Sequence, residues 1–153
     1  MTRHMPQTAT ILREKATPVA AAQLSDGLKQ VLDSPVFVDL ATIQPDGSPQ
    51  VSPVWVKRDG DELLISTTTE RRKTQNLRRD SRVSVMVQPA DNPYTYAEIR
   101  GTATVTTEGG PELIDELAQK YTGKNYADFN PRWDQDAARV VVRITPRKIT
   151  GRL

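Results

Sequence analysis

Residues 36–68 read VFVDLATIQPDGSPQVSPVWVKRDGDELLISTT. Three apolar, largely β-branched stretches alternate here with two turn-forming clusters. Val36 to Ile43 is the first stretch, and Pro45-Asp46-Gly47-Ser48 follows as a turn. Proline presets φ there and glycine takes a left-handed conformation without steric penalty. Gln50 to Lys57 resumes as a second strand, Arg58-Asp59-Gly60-Asp61 turns again, and Glu62 to Thr68 makes a third strand. Short strands joined by tight turns spell an antiparallel meander. Pro53 has no backbone N–H to give, so its strand must lie at a sheet edge, carry a bulge or face a ligand.

Upstream, Leu24, Leu28, Val31 and Leu32 share one face of a short helix over Gln23 to Asp33, with Ser25 placed as its N-cap. Residues 1–22, rich in Thr, Ala and Pro, read as a flexible arm, which leaves 23–153 as the folded domain. Downstream, Glu70 to Arg79 reads as one short helix. Val83, Val85 and Val87 then alternate with Ser84 and Met86 in a fourth strand. After a turn at Asp91-Asn92-Pro93-Tyr94 comes a long fifth strand, Tyr96 to Thr106, with Gly101 as a bulge or close-contact point. A helix from about Pro111 to Tyr121 carries Leu113, Leu117 and Tyr121, and Arg139 to Ile149 closes the chain as a sixth strand. The expected class is mainly β: a small six-stranded antiparallel barrel with inserted helices. Its strand edges need cover, and a second copy in a homodimer supplies it.

The composition removes whole classes of chemistry. There is no cysteine, so disulfides, iron–sulfur clusters, cysteine-ligated metals and thiol catalysis are all excluded. The single histidine, His4, leaves no room for a histidine triad or a multi-histidine metal site. No apolar run approaches the roughly 20 residues that span a bilayer. The N-terminus lacks the apolar core of a signal peptide, so a cytoplasmic location is expected.

The net charge of +2 is mild, but its distribution is not. Between Arg71 and Arg82 six basic residues face one acid, Asp80, which gives a local +5 and leaves −3 on the remainder. A basic focus on an acidic body suits a discrete anionic ligand better than a polyanion. With Thr69 as the N-cap, Arg71, Arg72 and Lys73 fall in the first helical turn. Each cation there opposes the helix dipole at a cost of about 0.3–1 kcal/mol. Two readings stand at this point: the arginines splay into solvent, or an anion completes a site built from these cations and the free N–H groups. Arg78, Arg79 and Arg82 lie at the helix end, where cations belong.

Several segments recur in a recognisable order: Leu40-Ala41-Thr42-Ile43, Asp46 to Trp55, Arg71 to Asp80, Tyr96-Ala97-Glu98-Ile99-Arg100-Gly101 and Leu117-Ala118-Gln119-Lys120-Tyr121. Together they resemble the pyridoxamine-phosphate-oxidase-like split-barrel family, and within it the actinobacterial oxidoreductases that use flavin or the deazaflavin F420. The resemblance runs from about Leu24 to Ile149. It implies a split β-barrel homodimer with two cofactor sites at the subunit interface. It makes Arg71 and Lys73 the ligands of the cofactor phosphate, with Arg72 as helper and Asn76 in the same stretch. Ser52, Pro53, Val54, Trp55 and Val56, together with Ser66, Thr67 and Thr68, become the wall beside the tricyclic ring. Asn92, Pro93 and Tyr94 approach that ring from the partner subunit. Asp39 departs from the pattern, either pairing with a cation across the interface, sitting near the substrate or facing outward.

The implied function is F420-dependent hydride transfer to a small conjugated or heteroaromatic substrate. Scarcity of acid–base side chains agrees with it, because the cofactor carries the hard chemistry. Tyr94, Tyr121, Tyr126 and Lys57 are candidate proton donors. Trp55 packs either on the ring or in the core. Tyr126, Phe129 and Trp133 form a substrate lid or a dimer-contact loop. The competing readings are an FMN-binding oxidoreductase of the same fold and a non-catalytic cofactor carrier. F420 has an oligoglutamyl tail that needs a longer basic track, for which Arg78, Arg79, Lys57, Arg13 or Lys15 could serve. Nucleic acid is not expected as a partner, because the arginine-rich helix lacks interleaved aromatics.

Overall fold

Why the chain curls is visible in one connection. The computed structural model describes residues 20–132 and 137–153. Strands β1 (Val38–Ile43) and β2 (Pro49–Val54) form one hairpin, and β3 (Lys57–Asp59) and β4 (Glu62–Thr68) form another. After helix α2 (Arg72–Arg79) come β5 (Arg82–Val87) and β6 (Ala97–Thr106), and the chain closes on β7 (Arg139–Gly151). The seven strands form one antiparallel sheet in the order β2-β1-β5-β6-β7-β4-β3. Its two edges, β2 and β3, are separated in sequence by Trp55 and Val56 alone. Three Cα–Cα steps reach at most about 11 Å, whereas six strand spacings in a flat sheet would measure roughly 29 Å. The sheet must therefore roll until its edges nearly meet, which is a split barrel.

Mainly-β split-barrel architecture is thus as expected, with two corrections. The expected second strand, Gln50 to Lys57, breaks at Trp55, so there are seven strands and not six. The expected three-stranded meander does not form, since β2 and β3 stand at opposite edges. Period-two alternation runs on through Val54, Trp55 and Val56 and gives no local sign of the break. Of the alternatives that Pro53 left open, the fold shows the edge position.

Alternation then fills the barrel. Val38 and Leu40, Leu63 and Ile65, Val85 and Val87, Ile99, Val142 and Ile144 all point inward and are buried. Asp39 takes the outward phase and is exposed. Helix α1 (Asp26–Asp33), whose N-cap Ser25 accepts from the Leu28 N–H at 3.1 Å, plugs the barrel with Leu28 and Leu32. Gly101 marks a register shift between β6 and β7, and a Cβ there would stand 2.2 Å from the Thr145 carbonyl oxygen.

Helix α3 (Gly110–Thr122) lies outside the barrel, packing Leu113 and Leu117 on Leu64 and Val141. Gly110 allows its start to touch β7, since a Cβ there would meet the Arg139 carbonyl oxygen at 2.5 Å. A short helix α4 (Tyr126–Phe129) follows it. Most of the predicted arm, together with His4, Arg13, Lys15 and Trp133, lies outside the described residues. Of the arm's described end, Ala22 donates to the Pro146 carbonyl at 2.8 Å. No helix among the described residues is long and apolar enough to cross a membrane.

Candidate functional site

The break between β2 and β3 opens a cleft of about 260 Å³ on the outer face of the sheet. One bank is flat and apolar. Pro53, Val54 and Trp55 line it from the end of β2, Phe37 from the approach to β1, and Ile114 and Leu117 from α3. Behind this bank the Trp55 indole stacks on Tyr121, with centroids 5.1 Å apart and planes within 10°. Phe129 leans on Trp55 at 5.4 Å, and Phe37 meets Tyr121 edge-on at 5.6 Å. Each such pair contributes about 0.5–1.5 kcal/mol beyond its area, so the bank is stiff.

The other bank is cationic. Arg71, Lys73 and Arg139 line it beside Ser66, Thr67 and Tyr126, and no carboxylate among the described residues lines the cleft. Helix α2 starts later than a Thr69 cap would place it. Arg71 is the N-cap, with no side-chain cap, and its carbonyl accepts from the N–H groups of Thr74 and Gln75 at 3.1 and 3.2 Å. Arg72 and Lys73 are then the first two helical residues. The Thr74 hydroxyl, buried, donates to the Thr68 carbonyl at 2.7 Å and ties this turn to β4. Glu70 makes no ion pair with these cations among the described residues; it accepts from the Thr69 hydroxyl at 3.0 Å, and that bond lowers its pKa.

Burial lowers the Lys73 pKa, and the nearby Arg71 charge lowers it further. No ion pair holds Arg71 or Lys73 among the described residues. The Arg139 guanidinium lies 4.7 Å above the Tyr126 ring. The Ser66 hydroxyl oxygen is buried in the wall and has no hydrogen-bond partner among the described residues. Chemically, the cleft offers donors and positive charge on one side and a flat apolar surface on the other. That fits a planar molecule with an anionic tail.

Seven of the residues expected to bind the cofactor meet in this cleft: Pro53, Val54, Trp55, Ser66, Thr67, Arg71 and Lys73. Others stand elsewhere. Arg72 faces a separate groove with Gln44, Pro45, Asp46 and Ser48. Ser52 lies opposite Leu40 with its hydroxyl buried, Val56 is wholly inside the core, and Thr68 is buried. Asn76 is buried too, its amide donating to the Thr42 hydroxyl at 3.0 Å and to the Gln44 side chain at 3.2 Å. Asn92, Pro93 and Tyr94 occupy the turn between β5 and β6, away from the cleft, with Tyr94 86% exposed.

Of the candidate proton donors, Tyr126 alone lines the cleft. The Tyr121 hydroxyl donates to the Val36 carbonyl at 2.5 Å and accepts from the Val56 N–H at 3.0 Å. Lys57 pairs with Glu116. Tyr126 and Phe129 belong to the cleft itself, though the sequence left them as lid or contact loop. Sequence reasoning missed Phe37, Ile114 and Arg139. Arg139 arrives through register, pairing with Thr68 across β4 and β7, and no local motif announces it.

Residues 24–152 match the family described as pyridoxamine 5'-phosphate oxidase. Among solved structures, one named F420 reductase is 30% identical, with a TM-score of 0.71 over 83% of this chain and 98% of its own. A conserved hypothetical protein from Mycobacterium tuberculosis is 29% identical, with a TM-score of 0.66 over 84% of each chain. A Listeria innocua protein provisionally named a pyridoxamine 5'-phosphate oxidase is 25% identical, with a TM-score of 0.59 over 82% of this chain and 95% of its own.

Proposed function

The chain belongs to the pyridoxamine 5'-phosphate oxidase family, and from that premise we propose that it is an F420-dependent oxidoreductase acting on a small conjugated or heteroaromatic substrate. One observation carries the reading: among the described residues, a cationic bank with no carboxylate faces a flat aromatic bank across a single cleft, and the wall between them holds a hydroxyl with no partner. Unsatisfied buried groups are rare in folded proteins, and a ligand is a sufficient reason for one.

When bound, the deazaflavin ring supplies the hydride chemistry. The chain's part is to bind, orient and exclude water. Arg71 and Lys73 hold the phosphate, and its charge relieves their mutual repulsion. Pro53, Val54 and Trp55 present the surface on which the ring lies, with Ser66 and Thr67 offering polar contacts at its edge. The Tyr126 phenol, which lines the cleft, would deliver or accept a proton at the substrate. In a homodimer, the exposed turn at Asn92, Pro93 and Tyr94 reaches the partner's cleft.

FMN is the second candidate, because its phosphate would satisfy the same two cations. The likeness to a structure named F420 reductase favours the deazaflavin. Titrating the purified protein separately with F420 and FMN, and following ring fluorescence, distinguishes them. Saturable F420 binding is expected; micromolar binding of FMN with none of F420 would assign the cleft to the flavin. Light scattering in solution tests the dimer.

A further inference from the structure

Val56 is where the chain leaves one sheet edge and enters the other, between the ends of β2 and β3. Two neighbouring side chains of α3 hold its backbone at this point. Its N–H donates to the Tyr121 hydroxyl at 3.0 Å, and its carbonyl accepts from the Lys120 ammonium at 2.6 Å. The same hydroxyl donates to the Val36 carbonyl at 2.5 Å, and the same ammonium donates to the Leu32 carbonyl at 2.6 Å. Lys120 and Tyr121 thereby gather the last turn of α1, the approach to β1 and the strand break at one point. Trp55, the residue before Val56, stacks on the Tyr121 ring.

We propose that Lys120 and Tyr121 are positioning residues of the ring site, fixing the strand break at Val56 so that Trp55 presents a preset flat bank before any cofactor arrives. A wall held in its bound conformation spares the ligand the ordering cost that weakens association. That the ligand is a flavin-type ring rests on the function proposed above; the fixing of Trp55 does not.

The test separates these two layers. In a Trp133→Phe background, leaving Trp55 as the sole fluorophore of the two tryptophans, emission and acrylamide quenching report the wall without cofactor. Tyr121→Phe keeps the stack but loses two hydrogen bonds; Lys120→Met loses the other two; Lys120→Arg keeps donors. Both losses should raise quenching of Trp55. They should also lower affinity for the cofactor that the wild type binds, F420 or FMN, by roughly tenfold. Affinity for inorganic phosphate should hold, and Lys120→Arg should restore the wall. Unchanged quenching and affinity in variants that remain folded would overturn the proposal. So would an equal loss of phosphate and cofactor binding, which would report general loosening. A wild type that binds neither F420 nor FMN sinks the functional reading, while the quenching data still decide the positioning.

Discussion

Arg71 and Lys73 both line the cleft two residues apart at the start of α2, and neither is ion-paired among the described residues. Half-burial and the Arg71 charge together make the ammonium costly in the unliganded protein. An anion reverses that sign, turning a repulsive pair into two charge-assisted hydrogen bonds. Losing one such bond removes about 1.5–3 kcal/mol. Lys73→Ala should therefore weaken cofactor affinity by roughly tenfold to a hundredfold while the thermal midpoint of the unliganded protein holds or rises. Isothermal titration beside a melting curve checks both. Unchanged affinity would remove Lys73 from the site.

Lys120 makes a pH prediction whose sign follows from its burial. Desolvation lowers its pKa from 10.5 to about 8, with Asp33 opposing the change. Between those two values the unfolded chain holds a proton that the folded chain has released, so stability rises with pH across the window. The penalty is full below about 8 and gone above 10.5. Lys120→Met removes the titrating group, so urea midpoints from pH 8 to 10.5 should rise less steeply in the variant than in the wild type. Parallel slopes would show that another group is responsible.

Asn76 shares α2 with the cations, yet its amide is used inside the fold. It bridges Thr42 and Gln44 at the end of β1, and Arg79 from the next turn donates to the Ile43 carbonyl. Asn76→Ala deletes both hydrogen bonds, leaves the buried Thr42 hydroxyl with Gln50 alone, and should cost about 1–3 kcal/mol of stability. Because the amide does not line the cleft, the folded variant should bind cofactor much as the wild type does. A large affinity loss at unchanged stability would place Asn76 at the ligand instead.

These contrasts show which features could be read from the sequence. Ser25 as a helix cap and Pro53 as a disturbance of its strand were legible because each acts locally, Ser25 through its hydroxyl three residues on and Pro53 through its missing N–H. The break after Val54 was hidden because its cause lies some 65 residues away, in the Tyr121 hydroxyl that takes the Val56 N–H. Arg139 was hidden for a similar reason, since only the β4–β7 register brings it to Thr68. The start of α2 was misplaced because Thr69 is a favoured capping residue by its own chemistry, whereas Arg71, the actual cap, has no capping side chain to announce it. The Thr74 hydroxyl instead bonds the Thr68 carbonyl, Thr69 and Glu70 form a turn closed by the Arg71 N–H on that same carbonyl at 3.3 Å, and Arg71 takes the cap position. Local chemistry is legible in sequence; what two distant segments do to each other is not.

Ser66 yields two effects of opposite sign from one atom. Its hydroxyl is buried in the cleft wall without a partner among the described residues, a state that costs the unliganded protein part of the desolvation of a polar group. Ser66→Ala removes the orphaned group and little volume, so the unliganded variant should gain up to about 1 kcal/mol. Should the hydroxyl meet the ring edge in the complex, the same substitution deletes a hydrogen bond made only with ligand, and cofactor affinity falls by about threefold to tenfold. Affinity for inorganic phosphate, held by Arg71 and Lys73, should not move. Higher stability with weaker ring binding is a combination that general damage to the fold cannot produce. Lower stability with unchanged affinity would mean that the hydroxyl serves the wall and not the ligand.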